Sequence, residues 1–204
     1  MKNAESYFAN LQLVLRTNQI RNEINWEEVP SPQKLAPFSF AAAAEVLEQD
    51  FDSEGEPIAN GRFVLLYDPM GQDGWSGRFR IVTFIRANIE PELAADPALI
   101  DVGWSWLKEA LGTDELSYLS ESGTVTQIRS TSFGAIESRL DDNELEIRAS
   151  WTPISTSGEP QLEPSEVVGH FNAWISILEK ASGILPLPQG LTGGNGIVQI
   201  NQRK

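Results

Sequence analysis

Between Glu144 and Trp151 the chain alternates without a break, with Leu145, Ile147, Ala149 and Trp151 on one side and Glu144, Glu146, Arg148 and Ser150 on the other. A period of two predicts a strand with one buried face. The same alternation runs through Phe38, Phe40, Ala42, Ala44 and Val46. Four consecutive alanines there would also suit a helix, but Pro37 just before the run and the alternation itself favour a strand. Arg62–Tyr67 and Arg78–Arg86, the latter with Phe79, Ile81, Thr83 and Ile85 on one face, are predicted to pair as an antiparallel hairpin across the loop Asp68 to Gly77. Thr124–Thr131 reads as a fifth strand.

Helical spacing governs three other stretches. From Ala4 to Ile20, Phe8, Leu11 and Val14 or Leu15 recur on one side behind an Asn3 cap. From Asp96 to Leu111, an acidic cap and Pro97 open a helix that Gly112 stops. Its apolar residues form two stripes, Leu99, Val102, Trp106 and Ala110 beside Ile100, Trp104, Leu107 and Leu111, a wider arc than one sheet contact covers. The first stripe is expected to meet the sheet and Trp104 to belong to a contact surface. From Pro164 to Ser182, Val167, Phe171, Trp174, Ile175 and Leu178 share a side and Gly183 ends the helix.

The element order is therefore α-β-β-β-α-β-β-α, an α+β domain with a mostly antiparallel sheet of about five strands, three helices covering one face, and a core including Phe63, Leu65, Ile81, Trp106, Ile147 and Phe171. That order resembles the one found in secretion-chaperone-like folds. A single domain is expected over residues 1–182, followed by a glycine-rich tail, 183–204, that is extended or disordered unless it adds to a sheet edge.

Charge narrows the candidate partners. The formal net charge is −14, from 29 acids against 15 bases spread along the chain. Phosphate is repelled unless Lys34, Arg62, Arg78, Arg80 and Arg86 converge, so neither nucleic acid nor an anionic membrane is expected as a partner. No signal peptide or apolar membrane span is readable, and cysteine is absent, which together point to the cytoplasm. With His170 the only histidine, no metal and no cofactor is expected.

Several blocks resemble a known family. Gly61-Arg62-Phe63-Val64-Leu65-Leu66, Asp68-Pro69 with Gly71-Gln72, Trp75, Gly77, and Phe79-Arg80 with Val82-Thr83-Phe84 are similar to the core of an actinobacterial family, number three thousand among the domains of unknown function. Val102-Gly103-Trp104-Ser105-Trp106-Leu107, Gly123-Thr124-Val125-Thr126, Ser132-Phe133-Gly134 and Glu146-Ile147-Arg148-Ala149-Ser150-Trp151-Thr152-Pro153 extend the likeness from the first helix to Ser182. The resemblance implies a cytoplasmic actinobacterial protein and carries over no catalytic residue.

The chemistry-bearing patterns are weak. Ser105 in Gly103-Trp104-Ser105-Trp106-Leu107 lacks the glycine a nucleophile elbow requires, and Gly71, Gly74 and Gly77 lack the spacing and the Lys-Ser or Lys-Thr of a phosphate loop. His170 borders an apolar stripe, where a structural or surface role outweighs that of a base. Two function classes remain. One is a non-catalytic interaction or regulatory module whose partner is an unknown protein or a second copy, engaged through Trp104 and its stripe or an open sheet edge. The other is a small-molecule binder or hydrolase around the loop 68–77, with Asp68, Gln72, Asp73 and Trp75 near Arg80, Arg148 or Trp151.

Overall fold

The computed structural model describes residues 2–47, 57–113, 115–138 and 141–184. Helix α1 (Lys2–Arg16) leads into β1 (Ile24–Glu28), β2 (Phe38–Val46), β3 (Ala59–Gln72) and β4 (Gly77–Asn88). A single-turn helix α2 (Pro91–Ala94) and helix α3 (Leu99–Leu111) follow, then β5 (Ser117–Ser130), β6 (Asp142–Ile154) and helix α4 (Pro164–Ala181). The strands form one antiparallel sheet in the order β1-β2-β3-β4-β6-β5. This is the expected α+β arrangement with one strand and one short helix added. The tail 185–204 and most of the polar connection after β2, residues 48–56, lie outside the described residues.

Alternation decides which face of the sheet is covered. Phe40, Ala42 and Ala44 of β2, Phe63, Leu65 and Tyr67 of β3, Ile81 and Ile85 of β4, and Leu145, Ile147 and Trp151 of β6 share one buried face. Helix α4 lies across β3, β4 and β6, with α1 beside it over β2 and α3 on the other flank over β5. Phe63, Phe171 and Trp174 meet at ring separations of 5.2–5.6 Å. Each such side chain contributes about 1.5–3 kcal/mol on leaving water. Trp174 comes close because Gly61 has no side chain: a Cβ there would sit 3.1 Å from the indole.

Helix α4 starts at Pro164, where the Glu163 N–H donates to Glu166 Oε2 at 2.7 Å, and stops at Gly183, whose φ of +72° favours glycine. Helix α1 begins one residue earlier than its predicted cap, so Asn3 lies inside it. Phe8, Leu11 and Leu15 are its buried line.

Four local expectations are corrected. β1 was unforeseen because it pairs at a sheet edge with only Ile24 buried, which leaves almost no hydrophobic period to read. The ten-residue loop Asp68 to Gly77 is mostly strand: β3 continues through an irregular register to Gln72, leaving a tight turn at 73–76 closed by the Trp75 N–H on the Gln72 carbonyl. Helix α3 starts at Leu99, because Asp96 accepts the Ala98 N–H and makes a turn before the helix instead of capping it. The buried line of α3 is Leu99, Gly103, Leu107 and Leu111, the seam between the two predicted stripes. Val102 is consequently exposed and Trp106 only half-buried, while Phe63, Leu65, Ile81, Ile147 and Phe171 are fully buried as expected.

Candidate functional site

β5 closes one end of the sheet, and among the described residues no strand pairs with its outer side. Its register to β6 slips between Leu119 and Ser122, where Ser120 adopts a φ of +53°. Beyond that bulge, pairing is regular from Ser122 to Ser130. Two glycines bring α3 down onto this strand. A Cβ on Gly103 would stand 3.0 Å from Val125 Cγ1, and one on Gly123 would stand 2.9 Å from Trp104 Cζ3 and 2.2 Å from the Arg148 carbonyl oxygen. Trp104 therefore lies over Gly123, half-buried, on the flank of α3 from which Lys108 reaches Glu121 of β5 at 2.6 Å. The opposite flank faces α4, where Lys180 pairs with Glu109. Ile100, one turn from Trp104, keeps 38% of its surface exposed.

The β3–β4 hairpin tip is locked to its neighbours. Asp68 accepts the Met70 N–H at 3.0 Å and the Gln72 amide at 3.3 Å, and the same amide nitrogen donates to the Leu35 carbonyl at 3.0 Å. The Trp75 carbonyl accepts the Thr152 hydroxyl. Arg80 donates to the Ser120 carbonyl, Thr152, Ser122 and Ser150 at 2.6–3.2 Å, tying β4 across β6 to β5. Asp73 is exposed at the turn.

The uncovered sheet face carries Arg62, Arg80, Arg86 and Arg148, so part of the dispersed basic charge does converge. Acids on the same face offset it: Glu144 pairs with Arg86, and Glu146 pairs with Arg148 at 2.8 Å. Arg148 also lies 5.4 Å from the Phe84 ring centre. A shallow depression of about 370 Å³ lies here between Val82, Ser122, Thr124, Arg148 and Ser150. A larger groove, about 800 Å³, runs between α1 and the segment after β1, bounded by Glu5, Phe8, Gln12, Val29 and Phe38. None of the eight residues singled out from the sequence borders it.

The ionisable groups with displaced equilibria lie in the interior. His170 is fully buried, its Nδ1 accepting the Trp151 indole N–H at 3.2 Å. Burial pushes the imidazole down to about 4, opposed only in part by the Glu166 carboxylate and the Ser117 carbonyl. Burial works against the charge on Glu166, but the N–H groups of Thr156 and Glu163 and the hydroxyls of Thr156 and Ser155 prevail and hold it below the usual carboxylate range. Trp151, read from the sequence as a binding residue, is instead core on the helix-covered face. The eight predicted residues thus fall in separate places. Asp68 meets Gln72, and Trp75 meets Arg80 through Thr152; Arg148 is farther along the open face, and Trp104 and Trp151 are on the covered face.

Among the described residues no three His, Asp or Glu side chains gather as a metal site, and no helix is long and apolar enough to cross a membrane. A family model described as a protein of unknown function, DUF3000, matches residues 4–192. The chain belongs to the DUF3000 family. The match runs from within α1 through α4 and reaches into the glycine-rich segment. No curated protein and no solved structure matches this DUF3000 chain.

Sequence reasoning allowed for an open sheet edge but did not identify it as the outer side of β5, with which no strand pairs among the described residues of this DUF3000 fold. Its only signal was compositional: Ser117–Ser130 has no proline or lysine and only two charged residues, Glu121 and Arg129. Natural sheets normally protect exposed edges with such residues.

Proposed function

We propose that this protein is a non-catalytic cytoplasmic interaction module that receives an extended segment along the outer edge of β5, beside the Trp104 flank of α3. The unguarded edge strand carries this reading: its outward backbone groups are satisfied by adding a strand, and Ile100 and Trp104 supply apolar area beside them. A binder or hydrolase at the hairpin tip has less behind it, since Asp68, Gln72 and Arg80 spend their hydrogen bonds on neighbouring chain.

The test is selection of displayed ten-residue peptides against the intact protein, with self-association measured alongside and Trp104→Ala as the control variant. Alternating apolar peptides are expected to bind, and the variant should weaken binding more than it lowers thermal stability. Failure of both strand peptides and self-association to engage β5 would reject the reading.

A further inference from the structure

We propose that the occupant of the β5 edge is a second copy of this chain, paired antiparallel about Val125 so that two sheets join into one. This rests on the reading of β5 as an interaction edge and adds the partner and the register.

The two edges of the sheet differ in kind. β1 is five residues long, ends in Glu27 and Glu28, and runs into Pro30 and Pro32, all of which discourage a further strand. β5 is fourteen residues long and has none of these guards except its two charges.

Hydrogen-bond parity identifies the outward groups. The Asn88 N–H donates to Ile58 on the β3 side of β4, whereas the Ile89 N–H donates to Asn143 on the β6 side. Even-numbered residues of β4 thus bond β3 and odd-numbered ones bond β6. Carried through the regular registers, odd residues of β6 bond β4 and even ones bond β5. Past the bulge, β5 therefore spends Ser122, Thr124, Thr126 and Ile128 on β6, and directs the N–H and C=O of Gly123, Val125, Gln127 and Arg129 outward.

The two charges of β5 select the partner and the register. Glu121 precedes Val125 by four residues and Arg129 follows it by four, with opposite sign. Antiparallel self-pairing about Val125 therefore sets Glu121 opposite Arg129 of the second copy at both ends of the seam. It also sets Thr124 opposite Thr126, a favourable cross-strand pair. Lys108 already holds one oxygen of Glu121, whereas Arg129 forms no ion pair among the described residues. A two-fold axis normal to the sheet keeps both α3 helices on one side. Since Gly103 rests on Val125, the helices then flank the axis and bring Ile100 and Trp104 of each copy toward it.

The experiment uses the absence of cysteine in the parent chain. Full-length Thr124→Cys and Thr126→Cys proteins of different mass are mixed and gently oxidised, with the mass of the parent followed by light scattering. Thr124 and Thr126 would face each other as a non-hydrogen-bonded pair at about 4.5 Å between Cα atoms, within disulfide reach, while like positions lie about 7–8 Å apart on the diagonal. A dimeric parent and a mixed disulfide forming about tenfold faster than either symmetrical one are expected. A dimer without that preference overturns the proposal in favour of another surface. A monomer with fast amide exchange at Gly123, Val125, Gln127 and Arg129 overturns it too, and leaves the edge for a foreign strand. A monomer with those amides protected overturns it by showing a strand of the same chain on the edge. Only the further loss of strand-peptide binding would sink the broader reading as well.

Discussion

Trp151 on β6 donates its indole N–H to Nδ1 of His170 on α4 at 3.2 Å, in a site from which both side chains are wholly excluded from water. That bond uses Nδ1 as an acceptor, so the neutral imidazole carries its proton on Nε2. Charging the ring would require a second proton on the nitrogen that receives the tryptophan bond. The interior thus opposes protonation through burial and through the hydrogen bond that fastens helix to sheet.

A pH dependence of stability follows. His170 is depressed from 6.5 to about 4, so between those values the unfolded chain binds the proton that the folded chain refuses. Stability is fully present above about pH 6.5 and falls as pH drops toward 4, by about 3 kcal/mol over the window. Glu166 adds a loss of the same sign at lower pH, as its carboxylate is protonated. Urea unfolding at a series of pH values checks this. His170→Gln, which can still accept the Trp151 N–H, should remove the slope between pH 6.5 and 4 and retain the acid limb; an unchanged slope would contradict the assignment.

Gly123→Ala tests the contact between α3 and β5. The new methyl group would meet Trp104 and the Arg148 carbonyl oxygen, and backbone cannot move aside as a side-chain tip can. A loss of about 1–3 kcal/mol is expected in denaturant titration. Gly74→Ala, at a hairpin turn where nothing lies within 4 Å, serves as the control and should change stability far less.

Tyr7→Phe tests how α1 holds the segment before α4. The Tyr7 hydroxyl donates to the Leu162 carbonyl and accepts the Leu162 N–H, each at 2.8 Å, and burial pushes its pKa far above the usual phenol value. Removing it leaves both backbone groups without this partner at a half-buried site. The expected cost is about 1–3 kcal/mol, with faster amide exchange at Leu162 as the local signature.

What could be read from the sequence was governed by how one-sided each element is. β4 buries alternate residues throughout, and β2 and β6 do so over part of their length, so their existence and faces were legible from periodicity. β5 buries no residue fully, and β1 only Ile24, so periodicity says little about where they lie in the sheet. The candidate site depends on that position. The stripes of α3 misled for a different reason: Gly103 occupies the centre of its buried line, and hydrophobicity cannot register a residue chosen for having no side chain. Trp151 was misassigned because a tryptophan beside polar residues resembles a binding residue until its face of the sheet is known.

The last prediction separates the tryptophans. Trp151 and Trp174 are fully buried, whereas Trp104 and Trp106 are half-buried on opposite flanks of α3. Truncating a buried indole leaves a cavity as well as losing transfer energy, so Trp174→Ala should cost about 3–5 kcal/mol. Around Trp106 the side chain already meets water, and part of the space left by truncation is solvent, so Trp106→Ala should cost clearly less. Trp104→Ala should likewise fall below Trp174→Ala, because Gly123 covers only one side of the ring and the strand edge lies beyond it. Chemical denaturation of the three single variants measures the order. Equal losses at Trp104 and Trp174 would mean that the α3 flank is ordinary core, and would remove the apolar part of the proposed edge.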